Sequence, residues 1–374
     1  MKVLVDGIIF SGQRLGGISR VYSEILPRIT RLDPSITFDL YLRRKLMNHA
    51  IRSLPGIGVL REPSIYPWRW LQGKARVQDS LLNRTCRRSK PDIFHSTYFT
   101  LPVNGASRTV ISIYDMMDEI YAPIFQRRSQ FEIVARKRRC IERADLILSI
   151  SRHTTQDILK YCPINPDKIL TIPLGVGSEF RTIDDEDAKQ RFRARYGLER
   201  PFLIYIGNRR FIKNFMQLLR AYAEFRGNQD IDLIAVGGEV GWTRGEQEFI
   251  SSRKLTGRVR LIPMLNDQQL VLAYNTALAF IFPSLYEGFG LPVLEAMACG
   301  TPVLTSKVAS LPEVAGDAAL YFNPQDLDDM KAALEGILIP ETARRLTEKG
   351  RVRATQFRWN ETARKTLEAY RRLM

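Results

Sequence analysis

Residues 281–324 read IFPSLYEGFGLPVLEAMACGTPVLTSKVASLPEVAGDAALYFNP, and this stretch decides the fold. Leu278 to Pro283 is a short apolar run of the kind a buried strand uses. Glu287 follows, then Gly288-Phe289-Gly290, with Pro292 where a first helical turn needs no N–H. Gly300 falls where that helix should stop, and Pro302 to Thr305 reads as the next buried strand. A glycine turn feeding a helix start points N–H groups and the positive dipole end outward, which suits a phosphate or sugar-phosphate oxygen. Glu287 would lie in the turn beside such a ligand. Glu295, eight positions on, would lie about one helical turn in, on the same side if the helix starts near Pro292. Glycine turns and helix glutamates occur throughout α/β proteins, so this pair alone does not fix the chemistry.

The 374 residues are enough for two domains with separate cores, and 45% hydrophobic with 10% aromatic content fits a globular chain. No apolar run approaches the roughly 18–20 residues of a membrane-spanning helix. The opening MKVLVDGIIFSG lacks a long apolar segment with a small-residue cleavage site, so it reads as a first strand and not a signal peptide. Cys86, Cys140, Cys162 and Cys299 show no paired spacing, and His49, His95 and His153 are scattered, which argues against a structural zinc site and for a reduced, cytoplasmic setting. Residues 1–176 carry 28 Lys and Arg against 15 Asp and Glu, whereas residues 177–374 carry 28 against 25. A basic front half points to an anionic partner: nucleic acid, a membrane surface or a phosphorylated acceptor. A surplus of arginine also serves solubility alone.

In the front half, a strand around Val3 to Val5 leads through Asp6-Gly7 and Ile8–Phe10 into a glycine-bearing loop, residues 11–18, that includes Gly16-Gly17. A helix should run from Ile18 toward Ile29 on the apolar spacing of Ile18, Val21, Tyr22, Ile25 and Leu26. The loop is not a GxGxxG dinucleotide fingerprint. Around Trp68-Arg69-Trp70, indole rings with cations as far as Lys90 suit a membrane interface, base stacking, or the pinning of an insertion. Two further strands end at His95 and at Tyr114-Asp115, and polar residues just past parallel strand ends line the ligand crevice of an open sheet. The helix from about Gln126 to Arg143 holds Arg136-Lys137-Arg138-Arg139, and the Ile133 and Ile141 spacing leaves one apolar face, so most of these charges should be solvated and open to an anionic surface.

In the back half, the strand Phe202 to Ile206 precedes Gly207-Asn208-Arg209-Arg210-Phe211-Ile212-Lys213 and a helix start, which on physical grounds is a diphosphate site. Asp230-Ile231-Asp232 has the form of a metal-binding Asp-x-Asp. It opens a strand, however, at the wrong sheet edge for a ligand.

The run from Glu287 to Glu295, continuing through Gly300-Thr301-Pro302-Val303 and Leu311-Pro312-Glu313-Val314-Ala315-Gly316, resembles the glutamate-x7-glutamate signature of glycosyltransferase family 4. Those are retaining, nucleotide-sugar-dependent enzymes of the GT-B fold. The strand 145–151 and residues 172–176, which read as a linker strand, resemble the end of that family's first domain, and the likeness is thinnest between residues 43 and 90. The resemblance implies an α/β chain of two Rossmann-like domains facing a cleft. Residues 1–176 would form an acceptor domain and 177–358 a donor-nucleotide domain. The helix of 359–374 would pack back on the first.

By the same resemblance, Lys213 with Arg209 or Arg210 would neutralise the donor diphosphate, Asn208 standing where the family has an arginine. Gly16, Gly17, Gly290 and Leu291 would lie along that diphosphate. Glu287, Gly288, Phe289 and Gly290 would hold the donor sugar, Glu295 the ribose, and Met264 and Leu265 the base. The family often has a His-Asp pair where this chain has Tyr114-Asp115, so Glu287, His95 and Asp115 are the expected catalytic set. The resemblance implies a hexosyl transfer, mannosyl in character, from GDP-mannose or a UDP-sugar to a glycan or lipid-linked acceptor in cell-surface polysaccharide or lipopolysaccharide synthesis. No cofactor or metal is expected, and the partners are donor, acceptor and an anionic membrane surface, not nucleic acid. An epimerase or phosphorylase of the same fold, or a basic membrane- or nucleic-acid-binding protein, are the alternatives.

Overall fold

The computed structural model describes residues 1–12, 16–42, 57–61, 75–102, 106, 108–125, 128–238 and 240–374. Trp68-Arg69-Trp70 and residues 13–15 of the first glycine loop lie outside them. The chain forms two compact units, Met1–Gly175 with Trp359–Met374, and Val176–Arg358.

The first unit is a parallel sheet of β1 (Lys2–Asp6), β2 (Thr37–Leu42), β3 (Ile57–Arg61), β4 (Ile93–Ser96), β5 (Arg108–Ile113), β6 (Leu146–Ser149) and β7 (Ile169–Thr171). Their order is β3-β2-β1-β4-β5-β6-β7. The winding reverses between β1 and β4, where Val5 is in register with His95. In open α/β sheets the crevice beyond the strand ends at such a reversal is where ligands bind. Val3, Leu4 and Val5 are fully buried, as a strand covered on both faces requires.

Ile8–Phe10 does not continue the strand. Asp6 Oδ1 accepts the Ile8 N–H at 3.0 Å, turning the chain into the short helix Ile8–Gly12. The long helix that follows is Gly17–Leu32, with Val21, Tyr22, Ile25 and Leu26 buried. The helix Trp359–Arg371 returns to this unit and packs on it, with Arg371 2.6 Å from Asp33 and Arg28 donating to Asn360 at 3.0 Å. The strand that ends the sheet is Ile169–Thr171, so residues 172–176, expected as a linker strand, hold only a single bridge from Val176 to Arg358. The basic run in the helix Arg128–Arg143 is not uniformly solvated. Lys137 is wholly buried, 2.7 Å from Glu119 and 3.3 Å from Asp118, with its ammonium 5.0 Å from the Phe99 ring centroid. Burial opposes its charge, but the carboxylates of Asp115, Glu119 and Asp118 outweigh it and hold its pKa above the usual lysine value.

The second unit is a parallel sheet of β8 (Phe202–Ile206), β9 (Asp232–Val236), β10 (Val259–Ile262), β11 (Ala279–Phe282), β12 (Val303–Ser306) and β13 (Ala319–Phe322), ordered β10-β9-β8-β11-β12-β13. Side chains alternate between its two faces. Phe202 and Ile204 join one apolar cluster, while Leu203 and Tyr205 join the other. The winding reverses between β8 and β11, which sets the loops after these two strands side by side.

Candidate active site

Beyond β8 the chain crosses Gly207-Asn208-Arg209-Arg210, makes a single 3-10 turn over Phe211–Lys213, and enters the helix Phe215–Glu224 through a left-handed Asn214. Asparagine tolerates that conformation, and its side-chain amide is anchored to the Pro324 carbonyl at 2.8 Å. The Lys213 N–H closes the turn on the Arg210 carbonyl at 2.8 Å. The Lys213 side chain leaves the turn to form an ion pair with Glu287 and lies 5.1 Å from the Phe282 ring centroid. The Leu285 N–H donates to the Ile212 carbonyl at 2.8 Å, so backbone joins the two loops beside this ion pair.

The two arginines differ. Arg209 has a side chain only 3% exposed, 3.1 Å from Glu246, and it donates to the carbonyls of Gly237 and Gly241. Its guanidinium lies 5.1 Å from the Trp242 ring centroid. It holds the loop after β9 in place, and Gly238, with φ +82°, lets that loop come close: a Cβ there would sit 3.1 Å from Arg209 Nη1. Arg210 is exposed. Of the pair, Arg210 has the solvent access that a diphosphate contact needs.

On the β11 side, Glu287 opens the turn and the helix Leu291–Ala298 begins at Gly290, whose φ of +110° and ψ of +48° favour glycine. A Cβ at Gly290 would lie 2.8 Å from Leu311 Cδ2. Gly288 and Phe289 are buried within the turn, and Leu291 is partly exposed at the helix start. Glu295 is buried, with one carboxylate oxygen accepting from the Tyr274 hydroxyl at 3.4 Å. Met264, 64% exposed, lies in the loop after β10, whereas Leu265 is committed to the core. Asp232 opens β9 and faces Arg258 at 3.4 Å, at the sheet edge away from the turn.

In the first unit, Gly16 is extended (φ −171°) at the start of the helix Gly17–Leu32, and a Cβ built on Gly17 would meet nothing within 4 Å among the described residues. His95 is wholly buried. Its Nδ1 lies 2.6 Å from the Tyr370 hydroxyl and its Nε2 2.8 Å from Ser112 Oγ, and burial pulls its pKa down to about 3. This histidine is neutral and ties the returning helix to β4 and β5, with no surface open to a substrate. Asp115, half-buried, accepts the Met117 N–H at 3.0 Å where the helix Met117–Phe125 begins. Tyr114 is buried, and burial raises its hydroxyl pKa well above the usual value.

Sequence reasoning missed Ser310. Serine before Leu-Pro-Glu reads as a helix cap, yet its hydroxyl makes no cap to the short helix Leu311–Ala315. The hydroxyl points back to the carbonyls of Glu287, at 2.8 Å, and Phe289, at 2.9 Å. Tyr205 was also missed: it is a strand residue in sequence, and in the fold its hydroxyl reaches the Asn208 carbonyl. Burial and the nearby Glu287 charge both push its pKa up. Among the described residues, no group of three or more His, Cys, Asp or Glu side chains is placed to hold a metal ion.

Residues 15–180 match the family described as Glycosyltransferase Family 4, and residues 186–353 match Glycosyl transferases group 1. The O-antigen chain mannosyltransferase B of Escherichia coli is 30% identical over 296 residues, covering 77% of this chain and 76% of that protein. The serotype-specific mannosyltransferase WbdA of Escherichia coli is 30% identical over 302 residues, covering 75% of this chain and 36% of that protein. The chain thus spans about a third of the length of WbdA. The sucrose-phosphate synthase tll1590 from Thermosynechococcus elongatus superposes with a TM-score of 0.79 at 21% identity, over 100% of this chain and 98% of that one, a likeness of fold.

Proposed function

Because the chain belongs to glycosyltransferase family 4, with the GT-B fold, we propose that it transfers a hexosyl group from a nucleoside diphosphate sugar to a glycan or lipid-linked acceptor, with retention at the anomeric carbon. One observation carries this reading: Lys213 and Glu287, from loops after adjacent strands, meet at the winding reversal of the second sheet beside the helix start at Gly290. A cation, a carboxylate and helix N–H groups there suit a donor that is a sugar at one end and a diphosphate in the middle.

In this reading Lys213 and Arg210 stabilise the charge that grows on the departing diphosphate, with the amide end of the helix Leu291–Ala298 beside them. Glu287, held by Lys213, accepts hydrogen bonds from sugar hydroxyls, and Glu295 accepts them from the ribose. Met264 and the backbone at Leu265 bear on the base. Within the first unit, taken by itself, the Gly16-Gly17 helix start and Asp115 are the proposed ligand contacts. Holding the reactants in line and stabilising the leaving group are the main catalytic terms. We assign His95 and Arg209 to the framework, since each is buried among partners that use its polar atoms.

The proposed sugar is mannose and the proposed donor GDP-mannose, with UDP-sugars as the comparison set; two relatives 30% identical to this chain are named mannosyltransferases. The name of the O-antigen relative supports a proposed role in the synthesis of a cell-surface polysaccharide. With side-chain cations at the diphosphate, we expect no metal requirement. No helix among the described residues is long and apolar enough to cross a membrane, and we place the protein in the cytoplasm, with the basic first 176 residues meeting an anionic inner membrane face. The test is nucleoside diphosphate release from GDP-mannose, UDP-glucose and ADP-glucose, with and without EDTA, followed by anomeric analysis of the product. Turnover of none of these donors, or an inverted product, overturns the proposal.

A further inference from the structure

Ser310 is completely buried, and it spends its hydroxyl on the turn that carries Glu287 instead of on its own helix. One proton serves two carbonyls, Glu287 O at 2.8 Å and Phe289 O at 2.9 Å, while the Ser310 N–H lies 3.4 Å from the first of them. In a trans peptide the carbonyl and the following N–H point in opposite directions. Drawing these two carbonyls inward therefore turns the N–H groups of Gly288 and Gly290 the other way, away from Ser310. The same two bonds fix the Cα of Glu287, whose carboxylate meets Lys213.

We propose that Ser310 is a positioning residue for donor binding and turnover: its hydroxyl sets the direction of the Gly288 and Gly290 amides and the seat of Glu287, without touching the donor. The proposal rests on the reading of Glu287 as part of the donor site. A serine that only capped its helix would leave the turn free to rotate its peptide planes, and a glycine-rich turn rotates at little steric cost. Two amide dipoles misdirected at a charged leaving group weaken transition-state stabilisation more than they weaken ground-state binding.

The experiment compares Ser310→Ala, Ser310→Cys and Glu287→Ala in GDP-mannose and UDP-glucose turnover, with melting curves for each. The expected result for Ser310→Ala is a folded protein whose kcat falls roughly 10- to 100-fold, with a smaller change in donor KM. Ser310→Cys keeps a weak donor on the same stem and recovers part of the loss. Wild-type kcat in folded Ser310→Ala, alongside an inactive Glu287→Ala, overturns the positioning role and leaves the donor-site reading standing. Full activity in Glu287→Ala overturns the reading itself. If neither serine variant folds, the hydroxyl supports the domain as a whole, and the positioning role is likewise overturned.

Discussion

Lys213 and Glu287 form an ion pair between the loops that follow β8 and β11, and a backbone hydrogen bond from Leu285 to Ile212 fixes those loops beside it. Both side chains are largely covered, at 23% and 14% exposure, so the pair is held by its surroundings and screened only in part by water. Without donor, each residue neutralises the other. A diphosphate sugar would offer Lys213 a phosphate and Glu287 a set of hydroxyls, exchanging one charge-assisted contact for two.

Removing the cation should therefore cost catalysis more than folding. Lys213→Ala is expected to reduce kcat/KM for the preferred donor by roughly 100- to 1000-fold, the range seen when one preorganised charge-stabilising group is lost. Its melting temperature should move less than that of Arg209→Ala, because Glu287 keeps some exposure where Glu246 has almost none. Steady-state kinetics with a parallel thermal melt decide it, and near-wild-type kcat/KM would remove Lys213 from the site.

Arg209 and Arg210 are adjacent in sequence and should fail in opposite ways. Arg209→Ala leaves Glu246 buried without its 3.1 Å partner, and breaking a buried pair from one side costs about 3–5 kcal/mol. Arg210→Ala removes an exposed charge, so stability should hold within about 0.5 kcal/mol while donor kcat/KM falls. Urea titration and donor kinetics on both variants separate the roles. A stable, catalytically crippled Arg209→Ala would reverse the assignment.

The contrast between these arginines shows what the sequence could and could not convey. Gly207 to Lys213 was legible as a cationic loop after a strand, because strand, glycine and helix start are local signals. Which arginine stays in water depends on Glu246 and Trp242, more than 30 positions downstream, brought near by the pairing of β8 with β9. Ser310 was illegible for a similar reason: its partners lie on a turn some 20 residues back, and its local context argues only for a cap. The turn at Gly290 and the helix Leu291–Ala298 were legible, since glycine and proline punctuate them. His95 was misplaced because ending a strand at the crevice does not say whether the ring points outward. Here it turns inward, to Tyr370 on a helix 275 residues away.

His95 makes stability depend on pH in a definite direction. Burial lowers its pKa from an ordinary 6.5 to about 3, so below pH 6.5 the unfolded chain binds a proton that the folded chain refuses. Its stabilising contribution is complete above about pH 6.5 and is lost progressively as the pH falls toward 3. The melting temperature of the wild type should drop across that window more steeply than that of His95→Gln. Tyr370→Phe, which strips the Nδ1 partner at 2.6 Å, should cost about 1 kcal/mol at neutral pH and leave donor turnover unchanged. Equal pH slopes for wild type and His95→Gln would show that other groups dominate acid unfolding.

Gly17 offers a test in which stability and activity should move apart. Among the described residues nothing lies within 4 Å of a Cβ placed there, and its φ is not among the positive values. Gly17 opens the helix Gly17–Leu32, where alanine is a better helix former by as much as about 1 kcal/mol. Gly17→Ala should thus fold as well as the wild type or slightly better. On the proposed reading, its methyl would stand in the way of a ligand oxygen approaching the helix-start amides. If ligand approaches there, kcat/KM should fall at least about 10-fold while the melting temperature holds or rises. Gly290→Ala is the control of opposite character: its methyl meets Leu311 Cδ2 at 2.8 Å in a left-handed backbone, so both stability and turnover should fall. A Gly17→Ala enzyme with undiminished turnover would remove Gly17 from the proposed ligand contacts.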